Sequence, residues 1–303
     1  MKFTQNSLFA AIAASSLLAA TQAMADDHQL EQAPGYYRMN VGDFVVTALN
    51  DGTRPMAAHK LLHWDEEKIR GAMAEHFMDS PVEGSINGFL VDTGEQQILI
   101  DTGMGKGVSP SLGKLTTHLE AAGYTLGDID AVYITHFHGD HVSGLVNNGE
   151  RVFTNANVYV HERDADAESA QAKYAPYKAA DAFMTFADGE SPHAGIKVNP
   201  APGHTPGHSV YHVESEGQTM VVWGDTLHVA GVQFAHPEVT IQYDSDPEKA
   251  REQRLQLFET IAENEYWVAG AHIAFPGIGR LKKENDGYRW VPANYTTRID
   301  QPK

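Results

Sequence analysis

Cysteine is absent from the 303 residues. Without a thiol there is no disulfide, no iron–sulfur cluster, no cysteine nucleophile and no thiolate metal ligand. Basic residues are scarce: 22 Lys and Arg face 40 Asp and Glu, a formal net charge of −18. A field of that sign opposes nucleic acid and anionic membrane surfaces, so neither is expected as a partner. Long hydrophobic runs are missing too, since nothing after residue 25 approaches the ~20 apolar residues of a membrane span. There is no linker, low-complexity stretch or internal repeat. With 42% of residues hydrophobic, one large domain is the simplest organisation.

The first 25 residues read differently. Lys2 gives a positive start, Leu8 to Ala20 is a short run of Ala, Leu, Ile, Phe and Ser, and Ala23-Met24-Ala25 is a small-x-small cleavage site before Asp26-Asp27. This is the pattern of a secretory signal peptide, too short and too rich in Ser and Ala for an anchor. The expectation is removal of 1–25, a mature domain over 26–303, and a periplasmic or secreted location. Stability must then rest on core burial and on bound metal.

Strand-like segments dominate. Gly42 to Gly52 (GDFVVTALNDG) reads as a strand ending in an Asp-Gly turn, and Ile86–Gly94 and Gln97–Gly103 read as paired strands. Asp65–Phe77 and Pro110–Ala122 have helical spacing. Ala131 to Thr135 (AVYIT) is a buried-type strand, and Asn157–His161 is another, with an acidic helix expected after it. Ile196–Val198, Ser209–Val213 and Thr219–Trp223 continue the pattern. Asp246-Pro247 opens a helix with Asp as cap and Pro in the first turn; its apolar face is Leu255, Phe258 and Ile261. Trp267–Ala271 reads as the last core strand. Two groups of strands with helices between them suggest sheets packed face to face with helices outside.

The chemistry gathers at strand ends. Thr135 to His141 reads T-H-F-H-G-D-H. His136 and His138 are two apart, so in extended backbone both imidazoles reach one cation. Gly139 is expected to let the chain turn sharply, aiming Asp140 and His141 at a second cation. Asp140 is either a ligand or an acceptor that orients a neighbouring His. His204 sits in a tight loop, Ala201 to Ser209 (APGHTPGHS), and His208 leads into the next strand as a structural histidine. Asp225 follows an apolar strand and a Gly, where its two oxygens can bridge two cations. His272 follows the Trp267–Ala271 strand. Counting ligands gives His136, His138 and His204 for one cation, Asp140, His141 and His272 for the other, and Asp225 between them. Each ion is left open to substrate, which marks a catalytic site. The cofactors expected are two divalent ions, zinc by default, although N/O ligation also suits manganese, cobalt and iron.

In that order and at those separations, H-x-H-x-D-H, G-H-T-P-G-H, G-D and a late His resemble the metallo-β-lactamase superfamily. Ile98 to Gly103 (ILIDTG) adds that family's strand-Asp-Thr-Gly element. The resemblance implies an α/β fold, the four-layer αββα sandwich, with Asp101 a buried support and not a ligand. Ala33 to Leu49, Lys60-Leu61-Leu62, Val229 to Phe234, Asp244-Ser245-Asp246, Phe275 to Arg280 and Val291 to Tyr295 further resemble the methyl parathion hydrolase group. That group contains exported phosphotriesterases and relatives that open lactones or cleave aryl esters. Two departures stand out. Gly139 replaces the Pro that the group's organophosphate hydrolases tend to carry. His228 stands where those hydrolases look apolar and where acyl-homoserine lactonases carry Tyr.

The expected activity is metal-dependent hydrolysis of lactones or aryl esters, with phosphotriester cleavage as a side activity. Acyl-homoserine lactone opening is the alternative, and β-lactam cleavage or redox chemistry on the same fold ranks below it. A water activated between the cations attacks a carbonyl or phosphoryl centre. Asp140 and Asp225 hold it and one moves its proton, while His228 donates to the substrate. Leu61, Leu62, Trp64, Phe234 and Tyr243 are candidates for an apolar pocket wall. The partner is a small ester or lactone; the resemblance also suggests a homodimer.

Overall fold

A computed structural model of the chain describes residues 32–299, in which a compact unit begins at Pro34. The signal segment expected over 1–25 lies outside the described residues.

Strands β1 (Tyr36–Val41), β2 (Phe44–Met56), β3 (Val82–Asp92), β4 (Gln97–Ile100) and β5 (Ala131–Tyr133) form most of one sheet. A separate small hairpin, β6 (Val146–Asn147) and β7 (Glu150–Arg151), precedes β8 (Asn157–His161) and β9 (Phe183–Phe186), which complete that sheet. The second sheet runs in chain order through β10 (Ile196–Pro200), β11 (Ser209–Ser215), β12 (Gln218–Val222), β13 (Trp267–Ala269), β14 (Ile278–Glu284) and β15 (Gly287–Pro292). Helices α1 (Ala58–Leu61) and α2 (Glu66–Ala74) follow β2; α3 (Leu115–Ala121) precedes β5 and α4 (Gly139–Val142) follows it. Then come α5 (Gln171–Lys178), α6 (Ala230–Gln233) and α7 (Pro247–Asn264).

Period-two alternation sorts the side chains into layers. Val46, Ala48, Phe89, Val91, Ile98 and Ile100 of the first sheet meet Tyr211, Val213, Met220, Val222 and Ala269 of the second in one core. The opposite faces of the same strands carry Leu49, Leu90, Leu99, Val132 and Val158, which pack on Leu115 and Leu119 of α3 and on Tyr174 and Tyr177 of α5. Behind the second sheet, Val221, Trp223 and Val268 pack on Phe258 and Ile261 of α7. The architecture is therefore the four-layer αββα sandwich.

Several expected elements take a different form. The chain does not turn at Asp51-Gly52. β2 continues to Met56, and its register against β3 slips between Asn50 and Gly52, as a bulge requires. Helix α3 starts at Leu115 and not at Pro110, because the carboxylate of Asp51 accepts the N–H of Met104, Gly113 and Leu115 (3.0, 3.0 and 3.3 Å) and holds that stretch as a turn. After β8 there are two short 3-10 turns, Glu162–Asp164 and Glu168–Ala170, in place of an acidic helix. Their Asp164 is buried and accepts from Thr205 Oγ1 (2.6 Å) and the Gly207 N–H (2.7 Å), which braces the loop carrying His204. On α7, capped by Asp246 with Pro247 in the first turn, the buried face is Arg254, Phe258 and Ile261. Leu255 is only half-buried, because the Arg254 guanidinium takes that place by donating to the carbonyls of Pro237 and Thr226 (2.8 and 3.3 Å). Finally, β13 is not the last core strand: β14 and β15 add a hairpin beyond it.

Two parallel pairs position the chemistry. β4 lies parallel to β5 in the first sheet, and β12 parallel to β13 in the second. Parallel neighbours end on the same edge, so the residues just past each strand, Asp101, Thr135-His136, Asp225 and His272, emerge together.

The buried bulge residue also sets a stability expectation. Asp51→Ala would leave three N–H groups without their acceptor and should cost about 2–4 kcal/mol. A urea titration should show a lowered midpoint, with Asp51→Asn losing less because it keeps one acceptor oxygen.

Candidate metal centre

The site is built outward from Asp101. This residue follows β4 with φ +62°, a left-handed backbone uncommon outside glycine. Its carboxylate is 3% exposed and accepts from the Thr135 N–H and the Thr135 hydroxyl, both at 2.8 Å. Its Oδ2 also lies 2.7 Å from His141 Nδ1. Next to it, the Thr102 N–H and hydroxyl both donate to the His141 carbonyl at 2.8 Å. The His141 ring and backbone are thus gripped from one loop.

Of the four other imidazoles expected as ligands, three have a partner behind them. His204 Nδ1 lies 2.9 Å from Asp244 Oδ1, His272 Nδ1 2.9 Å from the Ser85 carbonyl, and His136 Nδ1 3.1 Å from Thr135 Oγ1. His138 is the exception, its Nδ1 lying 3.0 Å from His204 Nε2. Such partners fix the ring and leave Nε2 facing inward.

In the middle stands Asp225, 5% exposed. Its Oδ2 lies 3.5 Å from His136 Nε2, 3.2 Å from His204 Nε2 and 3.1 Å from His228 Nε2. Its Oδ1 lies 3.1 Å from both His141 Nε2 and His272 Nε2. The backbone that delivers it has little latitude. Gly224 takes φ +52°, and a Cβ there would stand 2.7 Å from His208 Nε2 and 2.9 Å from Thr135 Oγ1. His208 itself is structural, as expected: Nδ1 donates to the Ala201 carbonyl (3.0 Å), and Nε2 accepts the Asp225 N–H (3.1 Å). With no lone pair left, its burial and the neighbouring His204 hold it down at about 3.

Asp140 enters from α4. Its Oδ1 is 3.8 Å from His141 Nε2 and its Oδ2 is 3.6 Å from His272 Nε2. It orients neither ring, because Asp101 and the Ser85 carbonyl already do so. Its distance to both Nε2 atoms suits the ligand role. Gly139 is not needed for a sharp turn. It begins α4, its φ is not positive, and a Cβ would meet only Ser143 Oγ at 3.6 Å. Proline suits a first helical position, so the two residues are interchangeable in backbone terms.

All eight residues singled out by sequence therefore converge. The donor atoms of His136, His138, His204 and Asp225 lie within 4.8 Å of one another, as do those of Asp140, His141 and His272, and those of Asp225, His228 and His272. Ligands of one tetrahedral ion sit roughly 3.4 Å apart. His136 Nε2, His141 Nε2 and Asp225 Oδ1 are buried and make no hydrogen bond. Buried polar atoms are rarely left so, and nitrogen and carboxylate oxygen are donors that divalent ions accept. The residues fit divalent metal ions.

The electrostatics agree. Burial pushes Asp225 up, but His141, His272, His136 and His228 around it hold it well below the usual carboxylate range. Burial opposes the charged form of His141, yet Asp225 and Asp101 keep it well above the usual imidazole value; His204, beside Asp225 and Asp244, is lifted to about 9 against its burial. Burial pushes His136 well down and His138 to about 4. Cation-free, the cluster keeps protons on some imidazoles to balance its carboxylates; divalent ions would replace them.

A cleft of about 280 Å³ opens over this cluster, reaching His138, Asp140, Asp225, His228 and His272. Of the expected wall residues only Tyr243 lines it. Leu61 and Leu62 are buried against Ile69, Met73 and Ile241, and Phe234 stacks between Trp223, Phe258 and Trp290. Trp64 packs on His236. Sequence reasoning missed Asp244 as the His204 partner, and Arg54, Met56 and Ser85 as lining residues. Asp244 lay within a quoted string, but no spacing tied it to His204.

Comparison with known proteins is consistent with this geometry. The crystal structure of hydrolase AbOPH in the beta lactamase superfamily is 34% identical, with a TM-score of 0.84 over 88% of this chain and 100% of that one. AidC, a dizinc quorum-quenching lactonase in complex with the product N-hexnoyl-L-homoserine, is 23% identical, with a TM-score of 0.80 over 87% and 99%. An atrochrysone carboxyl ACP thioesterase of Passalora fulva is 29% identical over 46% of this chain and 38% of its own length. The chain spans about half the length, or less, of such curated relatives. The model of the metallo-beta-lactamase superfamily matches residues 81–272. That match, on an αββα sandwich carrying the His and Asp cluster at one sheet edge, places the chain in the metallo-beta-lactamase superfamily.

Proposed function

We propose that the protein is a dinuclear metallohydrolase of lactones and aryl esters. The observation that carries this reading is the shared carboxylate of Asp225, with three imidazoles at one oxygen and two at the other. His136, His138 and His204 would hold one ion, zinc by default. Asp140, His141 and His272 would hold the other, with Asp225 between the two groups. Divalent ions held there supply Lewis acidity, polarising an acyl carbonyl and making water nucleophilic at neutral pH.

The protein's own residues do the rest. Both carboxylates border the cleft, and Asp140 is the more open of the two, its side chain 13% exposed against 4% for Asp225. It accepts the proton of the attacking water and returns it to the leaving oxygen. Asp225 is nearly sealed and keeps the two halves in register. His228 is 3% exposed, and burial, working against Asp225, holds it below the usual imidazole value. It is therefore a neutral imidazole whose one N–H, on Nε2, faces Asp225 Oδ2. With Asp225 engaged by metal ions, that N–H would be the proton His228 offers to substrate. Its ring lies parallel to His272 at 5.2 Å and borders the cleft. Met56 and Tyr243 offer apolar surface to the acyl or aryl part. Relatives named as a lactonase and a thioesterase support the acyl carbonyl as reacting centre. Acyl-homoserine lactone opening is the second reading, favoured by the polar His228 over the site; phosphotriester cleavage is a side activity.

Three outcomes are expected. Chelation should abolish hydrolysis of dihydrocoumarin and aryl acetates, and added zinc, cobalt or manganese should restore it. Activity that survives complete demetallation, or metal analysis finding a single iron, would end this reading. Asp101→Asn should weaken metal binding about 10–100-fold, measured by chelator competition; unchanged affinity would mean that the carboxylate is not orienting His141. His228→Phe should lower kcat by about 10²-fold while metal content stays at two ions per chain, and an unaltered kcat would remove it from the mechanism.

A further inference from the structure

One charged side chain over the cluster has no part in that chemistry. Arg54 stands on β2 opposite Gly84 of β3, and both line the same cleft as Asp140, His228 and His272. It is the one Lys or Arg among the lining residues. The side chain is 43% exposed, and its Nη2 lies 3.9 Å from Asp140 Oδ2, beyond hydrogen-bond reach. Asp140 already has His141 and His272 as nearer neighbours, and the strongest pulls on its proton come from them, with Arg54 only behind. Arg54 is thus not the primary partner of Asp140. The residue facing it across the ladder is a glycine, so no side chain stands directly opposite.

The charge balance makes this position informative. At −18 the molecule as a whole repels anions, but that field is screened beyond about 8 Å at physiological ionic strength. Within the cleft the local groups decide. There the carboxylates have imidazoles as their nearest partners, and the guanidinium lies outside hydrogen-bond reach of Asp140. Its planar fork matches a carboxylate with two parallel hydrogen bonds, and such charge-assisted pairs are about twice as strong as neutral ones. We propose that Arg54 selects acyl substrates that carry a second, anionic group, a carboxylate separated from the scissile carbonyl by a spacer of a few carbon atoms. Guanidinium and His272 both lie within 4 Å of Asp140 Oδ2, which is why the spacer is short. The inference rests on the ester-hydrolase reading above and adds its substrate class.

The test compares mono(4-nitrophenyl) glutarate with 4-nitrophenyl butyrate on metal-reconstituted protein, parent against Arg54→Gln and Arg54→Lys. The ratio of kcat/KM, charged ester over neutral, should fall about tenfold in Arg54→Gln, with Arg54→Lys between, since it keeps the charge without the fork. Calorimetry gives a readout independent of turnover: glutarate should lose about tenfold in affinity in Arg54→Gln relative to butyrate. An unchanged ratio in both assays, or an equal loss for both esters, overturns the proposal and leaves Arg54 as a neutraliser of Asp140. If the parent hydrolyses neither ester, the hydrolase reading falls, and the glutarate and butyrate affinities still decide the role of Arg54.

Discussion

One buried carboxylate organises this molecule. Asp225 has inward-facing imidazole nitrogens at both of its oxygens, and almost no water reaches it. A lone carboxylate would not remain ionised in such a place. Here the ring of histidines holds it ionised, and those histidines are held by a second layer: Asp101, Asp244 and the carbonyl of Ser85. Remove the central charge and five imidazoles face one another with nothing between them. The fold's two sheets can be understood as the scaffold that brings this carboxylate to its histidines.

The way the sheets achieve this is economical. Each contributes a parallel pair of short strands, and the chain leaves each pair at the same edge. Supports lie one layer further out. Asp164 holds the loop that carries His204, His208 pins the N–H of Asp225, and Arg254 reaches from α7 to the carbonyl of Thr226. Burying polar groups to this extent is costly unless each finds a partner. Here most do; among those that do not, His136 Nε2, His141 Nε2 and Asp225 Oδ1 are clustered and point inward at the centre, whereas Thr47 Oγ1, Thr116 Oγ1, Tyr174 OH and Trp223 Nε1 are scattered through the core. It is the clustering of unpartnered nitrogen and carboxylate donors at one point that marks a place for a cation.

Much of the site was legible in the sequence for a geometric reason. His136, His138, Asp140 and His141 lie within six positions, where alternation in extended chain and one helical turn fix their directions. Asp225 and His272 gained meaning only from a family pattern, because a strand followed by Gly-Asp or by His is common in ordinary turns. Asp244 was not legible as a partner of His204, since forty positions separate them and only the fold closes the gap. The fold showed the same division. Helix α7 announced its start through Asp246-Pro247, whereas Asp51-Gly52 looked like a turn and is a bulge, its carboxylate recruited by N–H groups more than fifty positions away. The closing hairpin of β14 and β15 was invisible because it carries charge on Arg280, Lys282, Lys283 and Arg289, which suits an exposed edge and masks alternation. Wall residues were misplaced for a related reason: Leu61, Leu62 and Phe234 are apolar because they fill core, and composition alone does not distinguish core from cleft.

The central claim is spatial and can be observed directly. Crystals grown with zinc, measured above and below its absorption edge, should give two anomalous peaks per chain, one on each side of the Asp225 carboxylate, the first among His136, His138 and His204 and the second among Asp140, His141 and His272. A single peak, or peaks away from Asp225, would contradict the account.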